Sequence, residues 1–307
     1  MTKKTILVTG ASGFVGTVLI QALKQRDYNI LTLYHNHIIS KSDLDLTSAM
    51  SNIDAVIHLA ARVHVMHDSD PDPLNAFRQA NVELTKNLVD TAIAAKVKRF
   101  VFISSLHVNG SISLLRPYNE ADKPEPPSPY AVSKLEAEEY LSAVAKKSNI
   151  EVVIIRPPLV YGPKVKGNFL SLLKLVKYGL PLPVGLLNNK RSMIDVNNLV
   201  NFIICCIENP KSANETFLIS DDNDISTKEL FTKLIKLFGK YPLLLPIPPK
   251  ILYILGDLLG KKEIVERLCA PLQVDITKAK TLLGWKPIQT LDQGLKETVE
   301  WYKKECL

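Results

Sequence analysis

Cysteine is scarce in these 307 residues. The four that occur, Cys205, Cys206, Cys269 and Cys306, make no CxxC pair, which removes the common thiolate metal motifs and a disulfide scaffold. Adjacent Cys205 and Cys206 fall in an apolar helical run, where buried thiols are common, so a reducing compartment and no metal site are expected. An unbroken hydrophobic span is also missing. The most apolar late stretch, LLLPIPPKILYILGDLLG at 243–260, is interrupted by Pro246, Pro248, Pro249, Lys250 and Asp257, and a spanning helix needs ~20 apolar residues. A packed or peripheral helix is expected there, with no integral membrane segment. MTKKTILVTG enters a strand within a few residues and lacks the pattern of a secretory leader, so a cytoplasmic location is the expectation. The net charge of +7 comes from scattered Lys and Arg without a basic stripe interleaved with aromatics. That distribution argues against nucleic acid and suits a small acidic ligand. Apolar residues at 46% and charged residues at 22% are ordinary globular usage, which excludes a disordered or fibrous chain.

Short β-branched apolar runs alternate with helical stretches along the first half: TILVTG, VGTVLIQALKQ, NILTLY, AVIHLA, VELTKNLVDTAIAA, RFVFISS, KLEAEEYLSAVAKK and EVVIIRP. Continuous apolar strands separated by helices predict an α/β fold, a doubly wound parallel sheet covered on both faces. After IIRPPLVYGP the rhythm changes to helices and proline-rich connections. The expected division is a dinucleotide-binding domain over 1–163 and a smaller, mostly helical domain over 164–307. Residues 194–220, with IDVNNLVNFIICCIENP and ETFLIS, are expected to return to the sheet.

TGASGFVG places Gly10, Gly13 and Gly16 where the first strand turns into the first helix. Such a turn needs one glycine for the bend, one for backbone approach to a pyrophosphate and one for close packing. The helix start then presents free N–H groups and a positive dipole end. Gly10, Gly13, Phe14, Val15 and Gly16 are the phosphate-cradle candidates. An acid holding the adenosine ribose of NAD is due about 20 residues on, yet that place is Tyr34, followed by His35 and Asn36. Tyr34 could accept a ribose hydrogen bond, and His35 with Lys41 could accommodate a 2′-phosphate, so NAD and NADP both stay open.

Residues 103–110 read ISSLHVNG and deliver two serines at a strand end. Twenty residues later, Ser128 and Pro129 form a natural helix start, which puts Tyr130 and Lys134 one turn apart on one face. A phenol titrates near ~10 and makes a useful base only when a neighbouring cation favours the phenolate. Tyr130 is therefore the candidate acid and base, and Lys134 the candidate that tunes it.

With these residues assembled, the chain resembles the extended short-chain dehydrogenase/reductases, specifically the NAD-dependent epimerase/dehydratase family acting on nucleotide sugars. The likeness runs over nearly the whole length, through TGASGFVG, DLDL at 43–46, HLAA at 58–61, ISS, YAVSK, RPPLVYGP, RSMIDVNNL and LLGWKP. It implies a Rossmann fold and NAD or NADP as cofactor. It implies that Ser105 joins Tyr130 on the reacting sugar oxygen and that Ser104 lines the nicotinamide side. Asp45 and Leu46 would contact adenine, Ala60, Ala61 and Pro157 the cofactor, and Asn81 would steady the local backbone or cap the helix after it. Arg191 and Asn168 would meet the substrate diphosphate, a task that suits a guanidinium fork; Arg267 is the candidate for a second arginine and His107 for a polar contact to the sugar. A homodimer through the helices of VELTKNLVDTAIAA and KLEAEEYLSAVAKK is implied as well.

Dehydratases of this family carry an Asp-Glu pair after the serine or threonine, for the loss of water across C5 and C6. Leu106 and His107 occupy those places, which leaves hydride transfer at C4. The expected activity is UDP-glucose or UDP-N-acetylglucosamine 4-epimerisation in surface polysaccharide synthesis, with a UDP-4-keto-6-deoxy-hexosamine 4-reductase as the close alternative. A lipid-like carbonyl reductase and a non-catalytic dinucleotide-binding regulator stand further off, the second because Ser105, Tyr130 and Lys134 are all present.

Overall fold

The computed structural model describes residues 3–33, 47, 50–63 and 72–306. Tyr34, His35, Lys41, Asp45 and Leu46, named above as cofactor candidates, lie outside the described residues.

Six strands form one parallel sheet: β1 (Thr5–Thr9), β2 (Asn29–Leu33), β3 (Ala55–His58), β4 (Arg99–Ile103), β5 (Glu151–Arg156) and, after two short strands, β8 (Thr216–Leu218). Their order is β2-β1-β3-β4-β5-β8. The chain leaves β1 toward one edge and returns on its other side as β3, so a crevice opens beyond the carboxyl ends of β1 and β3. The other two strands, β6 (Leu159–Tyr161) and β7 (Met193–Asp195), pair with each other in parallel.

Why the strand sequences are apolar throughout follows from the two-sided burial. Ile6, Val8, Ile57, Val101, Val153 and Ile155 point into one layer; Leu7, Val56, Phe100, Phe102, Val152 and Ile154 point into the opposite one. Successive side chains of a strand alternate faces, and both faces of β1, β3, β4 and β5 are buried, whereas edge strand β2 leaves Asn29 and Leu31 exposed. The first layer is closed by α1 (Phe14–Gln25) through Leu19 and Leu23. The opposite layer is closed by a helical stretch made of α2 (Pro73–Phe77), a π-turn (Arg78–Glu83) and α3 (Leu84–Ala94), and by α4 (Pro129–Ala145).

Beyond β6 come α5 (Gly167–Val176), α6 (Val196–Glu208), α7 (Thr227–Leu237), α8 (Pro249–Leu258), α9 (Lys262–Cys269), α10 (Thr277–Leu283) and α11 (Leu291–Glu305). A separate core gathers Tyr161, Phe169, Leu173, Phe231, Leu295 and Tyr302 from α5, α7, α11 and β6. Meanwhile α6 packs Leu199, Phe202 and Ile203 into the first layer of the main sheet, and β8 lines up beside β5. Residues 272–285 also return to that layer, where Trp285 meets Phe202 edge-on at 4.9 Å between ring centres.

A buried polar knot joins the two cores. Asp221 accepts hydrogen bonds from the Tyr161 hydroxyl at 2.7 Å, the Asn198 amide at 2.7 Å and the Asp195 backbone N–H at 2.9 Å. Asp195 caps α6 by accepting from Asn197 N–H at 2.7 Å through Oδ1. Its Oδ2 is buried with no hydrogen-bond partner among the described residues. Burial pushes the Asp195 carboxyl up to about 7. An acid raised in the folded state stabilises while protonated and loses that contribution as pH rises from its unfolded value through its folded one. Asp195→Asn keeps a cap oxygen and removes the charge. We expect it to raise the thermal unfolding temperature at about pH 8 and to lose that advantage at about pH 5; an equal shift at both pH values would show that ionisation of Asp195 is not what strains the knot.

Candidate active site

The turn after β1 is compact for reasons that are local and steric. Gly10 sits at φ +70°, and a Cβ there would stand 2.7 Å from the Ala60 nitrogen. A Cβ on Gly16 would meet the Gly10 carbonyl oxygen at 2.2 Å. Both glycines thus let α1 and the end of β3 close on one another. Gly13 is the N-cap of α1 and has no side chain to cap with, so the first N–H groups at Phe14 and Val15 are left to an anion. This cradle fits the pyrophosphate of a dinucleotide, and Ala60 and Ala61 border it beyond β3.

β4 ends at Ile103 and hands on Ser104 and Ser105. The Ser104 N–H donates to Ile155 O at 2.8 Å, while its hydroxyl is buried and without a hydrogen-bond partner among the described residues. An orphaned hydroxyl at the mouth of the crevice fits a place for the nicotinamide amide. Ser105 caps a single 3-10 turn, Leu106–Val108, by accepting from the His107 N–H at 3.2 Å. The His107 Nδ1 lies 3.4 Å from the same oxygen. Leu106 is fully buried in the core beneath the sheet mouth. Its backbone N–H donates to Pro157 O at 2.9 Å, which places Pro157 behind the serine turn.

α4 starts as the sequence predicts: the Ser128 hydroxyl accepts from Ala131 N–H at 3.3 Å and Pro129 takes the first helical position. Tyr130 is half-buried, hydrogen-bonds to the Ser105 side chain and meets Phe77 edge-on at 6.0 Å. Lys134 is buried, donates to Ile103 O at 2.8 Å and lies 4.3 Å from the centre of the Phe102 ring. Ser105, Tyr130 and Lys134 are therefore brought together at one mouth of the sheet. The lowering of the phenol expected from Lys134 is not found in the protein alone. Burial pushes Tyr130 up to about 12, with the Ser105 hydrogen bond acting the other way. Burial likewise brings Lys134 down to about 7, opposed by the Glu138 carboxylate. Desolvation penalises the charged form of each group.

Two supporting networks escaped the motif analysis. In the first, Thr85 donates to Asn81 O at 2.6 Å, so it receives the His58 Nε2 proton at 2.9 Å. His58 Nδ1 must then accept from the Thr9 hydroxyl at 2.7 Å, and Thr9 in turn accepts from Ala60 N–H at 3.2 Å. Burial, with the Lys134 charge second, holds this imidazole down to about 3, consistent with the neutral tautomer that the chain of donors requires. Asn81 does not cap α3 with its side chain; it accepts from Arg62 N–H at 2.8 Å and donates to Ser133 Oγ at 3.0 Å, joining the β3 loop to α4 from within the π-turn. In the second network Arg156, at the end of β5, pairs with Glu138 of α4 and donates to Asn109 Oδ1 at 3.0 Å. One buried guanidinium thus anchors both the helix of Tyr130 and the turn of Ser105. A histidine inside the apolar run AVIHLA and an arginine closing EVVIIR were the available signals.

Arg191 is half-buried and donates to Ala270 O at 3.0 Å. Burial lowers its pKa, and the nearby Arg267 guanidinium lowers it further. The two arginines repel, and a diphosphate between them would relieve that repulsion. Arg267 itself is exposed and held by Glu263 at 3.0 Å. Asn168 is half-buried in the first turn of α5.

Arg191→Ala should raise the KM for a nucleotide-diphosphate substrate about 10- to 100-fold with a smaller change in kcat, as expected for one charged hydrogen-bond donor; an unchanged KM would remove Arg191 from the substrate site. Removing one member of a buried ion pair costs about 3–5 kcal/mol, so Arg156→Leu should unfold at markedly lower denaturant while Arg191→Ala does not.

Residues 6–220 match the model of the NAD dependent epimerase/dehydratase family. A UDP-glucose 4-epimerase of Vibrio cholerae is 45% identical over 311 residues, covering 97% of this chain and 95% of the relative. An N-acetyl-alpha-D-glucosaminyl-diphospho-ditrans,octacis-undecaprenol 4-epimerase of Escherichia coli O157:H7 is 32% identical over 323 residues, covering 96% and 94%. The crystal structure of a UDP-glucose 4-epimerase with UDP-glucose from Thermotoga maritima shares the fold at a TM-score of 0.77 and 24% identity, over 99% of this chain and 100% of that one. With a family model over most of its length and full-length relatives at these identities, the chain belongs to the NAD-dependent epimerase/dehydratase family of extended short-chain dehydrogenase/reductase enzymes.

Proposed function

We propose that this enzyme inverts C4 of a UDP-hexose or UDP-N-acetylhexosamine, of the UDP-glucose/UDP-N-acetylglucosamine 4-epimerase type, in the synthesis of a surface polysaccharide. The observation that carries this reading is the pairing of the Ser105 and Tyr130 hydroxyls beside a position, Leu106, that is sealed in the core. Proton transfer at one sugar oxygen is thereby provided for, whereas a second acid and base for elimination are not. The dTDP-D-glucose 4,6-dehydratase of Mus musculus is also similar, at 28% identity, so this distinction is needed to choose between reactions within the family.

A bound nicotinamide dinucleotide would supply the acceptor, and then the donor, of the C4 hydride. Tyr130 Oη would take the proton of the C4 hydroxyl and later return it. Ser105 would hold the same oxygen through both directions and keep the phenol oriented. Burial raises the phenol in the protein alone, so the positive charge of a bound oxidised dinucleotide would favour its ionisation. Lys134, kept by the Ile103 carbonyl beneath the crevice, would present its remaining protons to the cofactor ribose. Arg191, with Arg267 beside it, would grip the diphosphate and leave the hexose free to turn.

The first test is a proton NMR time course with UDP-N-acetylglucosamine and UDP-glucose and no added cofactor, following the anomeric signals. Appearance of the galacto epimer is expected. Stasis with both sugars, together with oxidation of added NADPH or NADH by a UDP-4-keto-6-deoxy-hexosamine, would replace the epimerase with the 4-reductase. Tyr130→Phe should lower turnover at least about 10²-fold while titration of bound NADH fluorescence stays unchanged; turnover near that of the parent protein would mean another base.

A further inference from the structure

Exposed apolar surface is concentrated in one part of the chain. Among the described residues, 13 of the 19 exposed large hydrophobic side chains fall in 175–186 and 241–264. These two segments are neighbours: Leu182 N–H donates to Leu243 O at 3.0 Å, Leu245 N–H donates to Leu182 O at 2.8 Å, and the Lys240 ammonium reaches Tyr178 O at 3.2 Å. At the centre stands α8. Its Leu252 and Gly256 are buried, with Gly256 so close to Val265 of α9 that a Cβ would stand 2.6 Å from a Val265 methyl. On the outer side Ile251, Ile254, Leu255 and Leu258 fall at positions i, i+3, i+4 and i+7 and are 45%, 59%, 45% and 77% exposed. That spacing is one continuous helical stripe, apolar and facing solvent.

Charge decides what suits the stripe. Lys250 stands at its start and Lys261 and Lys262 just past its end, all exposed, with Lys240 near Tyr241, which is 86% exposed. Asp257, Glu263 and Glu266 share the segment, and Glu263 is engaged by Arg267. Residues 164–307 hold 21 Lys and Arg against 15 Asp and Glu, so nearly all of the chain's positive excess lies in this half. A second copy pairing symmetrically through α8 would set the same lysines against one another. An anionic bilayer would instead receive the stripe among its acyl chains and the lysines among its headgroups, in the manner of an interfacial helix.

We propose that the outer face of α8, with Tyr241 and the flanking lysines, docks this enzyme on the surface of an anionic phospholipid membrane. Ile264 of α9 extends the exposed apolar surface past the end of α8. This surface stands apart from the identity of the sugar, and it leaves the Tyr130 end of the crevice untouched.

The test is co-sedimentation of the full chain with phosphatidylcholine vesicles, with and without phosphatidylglycerol, alongside light scattering of the free protein. Binding to the phosphatidylglycerol vesicles, weakened by added salt, is expected. Ile254→Asp with Leu258→Asp removes two apolar anchors and should reduce the partition at least about tenfold, with unchanged thermal unfolding and unchanged turnover of the soluble nucleotide sugar. Lys250→Glu with Lys261→Glu alters no packed side chain and should weaken binding to the anionic vesicles alone. The proposal is overturned if the parent protein ignores phosphatidylglycerol vesicles, if both variants bind as it does, or if α8 substitution splits an oligomer without affecting vesicle binding.

Discussion

A single neutral imidazole governs how this molecule is assembled at its centre. His58 lies between the hydroxyls of Thr9 and Thr85, so it ties the end of β1, the end of β3 and the start of α3 to one proton arrangement. Because Thr85 spends its own proton on the Asn81 carbonyl, every link in the chain has one permitted direction. The Ala60 backbone N–H donates into the same line through Thr9. A charged ring there would donate from both nitrogens and deprive the Thr9 proton of its acceptor at Nδ1, and burial makes that state expensive.

The same economy of partners appears at Arg156. Its guanidinium is held by Glu138 on α4 and by Asn109 after the serine turn, so one buried cation fixes the two segments that supply Tyr130 and Ser105. Buried ion pairs contribute little net stability against apolar packing but penalise the loss of either partner strongly. Here the pair keeps two reactive hydroxyls in register although they arrive from a strand end and a helix start. Arg191 and Arg267 make a contrast: the two guanidinium groups are close enough to repel, and Arg267 takes Glu263 from its own helix.

Much of the architecture was legible in the residues because both faces of the central strands are dry and those strands are apolar without alternation. The glycine turn and the Tyr130–Lys134 helix were legible because their chemistry depends on local spacing. What local spacing could not disclose were the pairings that span the chain: His58 with Thr9 and Thr85, Asn81 with Arg62 and Ser133, and Arg156 with Glu138. Nor does periodicity say on which core a helix will pack, so the return of residues 272–285 to the main sheet had no signature. The raised phenol of Tyr130 was hidden for a different reason: spacing announces the neighbouring ammonium, whereas the water excluded from both groups is known only once Phe77, Phe102 and Ile103 close around them.

Leu106 also bears on the history open to such a chain. The position that follows the serine lies wholly inside the first core layer, against residues of the sheet and α6. A carboxylate introduced there by a point mutation would leave water at an effective cost of several kcal/mol, set against the roughly 5–15 kcal/mol by which typical domains are stable at all. A single substitution toward a carboxylate at this position therefore carries a folding cost that a replacement at an exposed position of the outer helices does not.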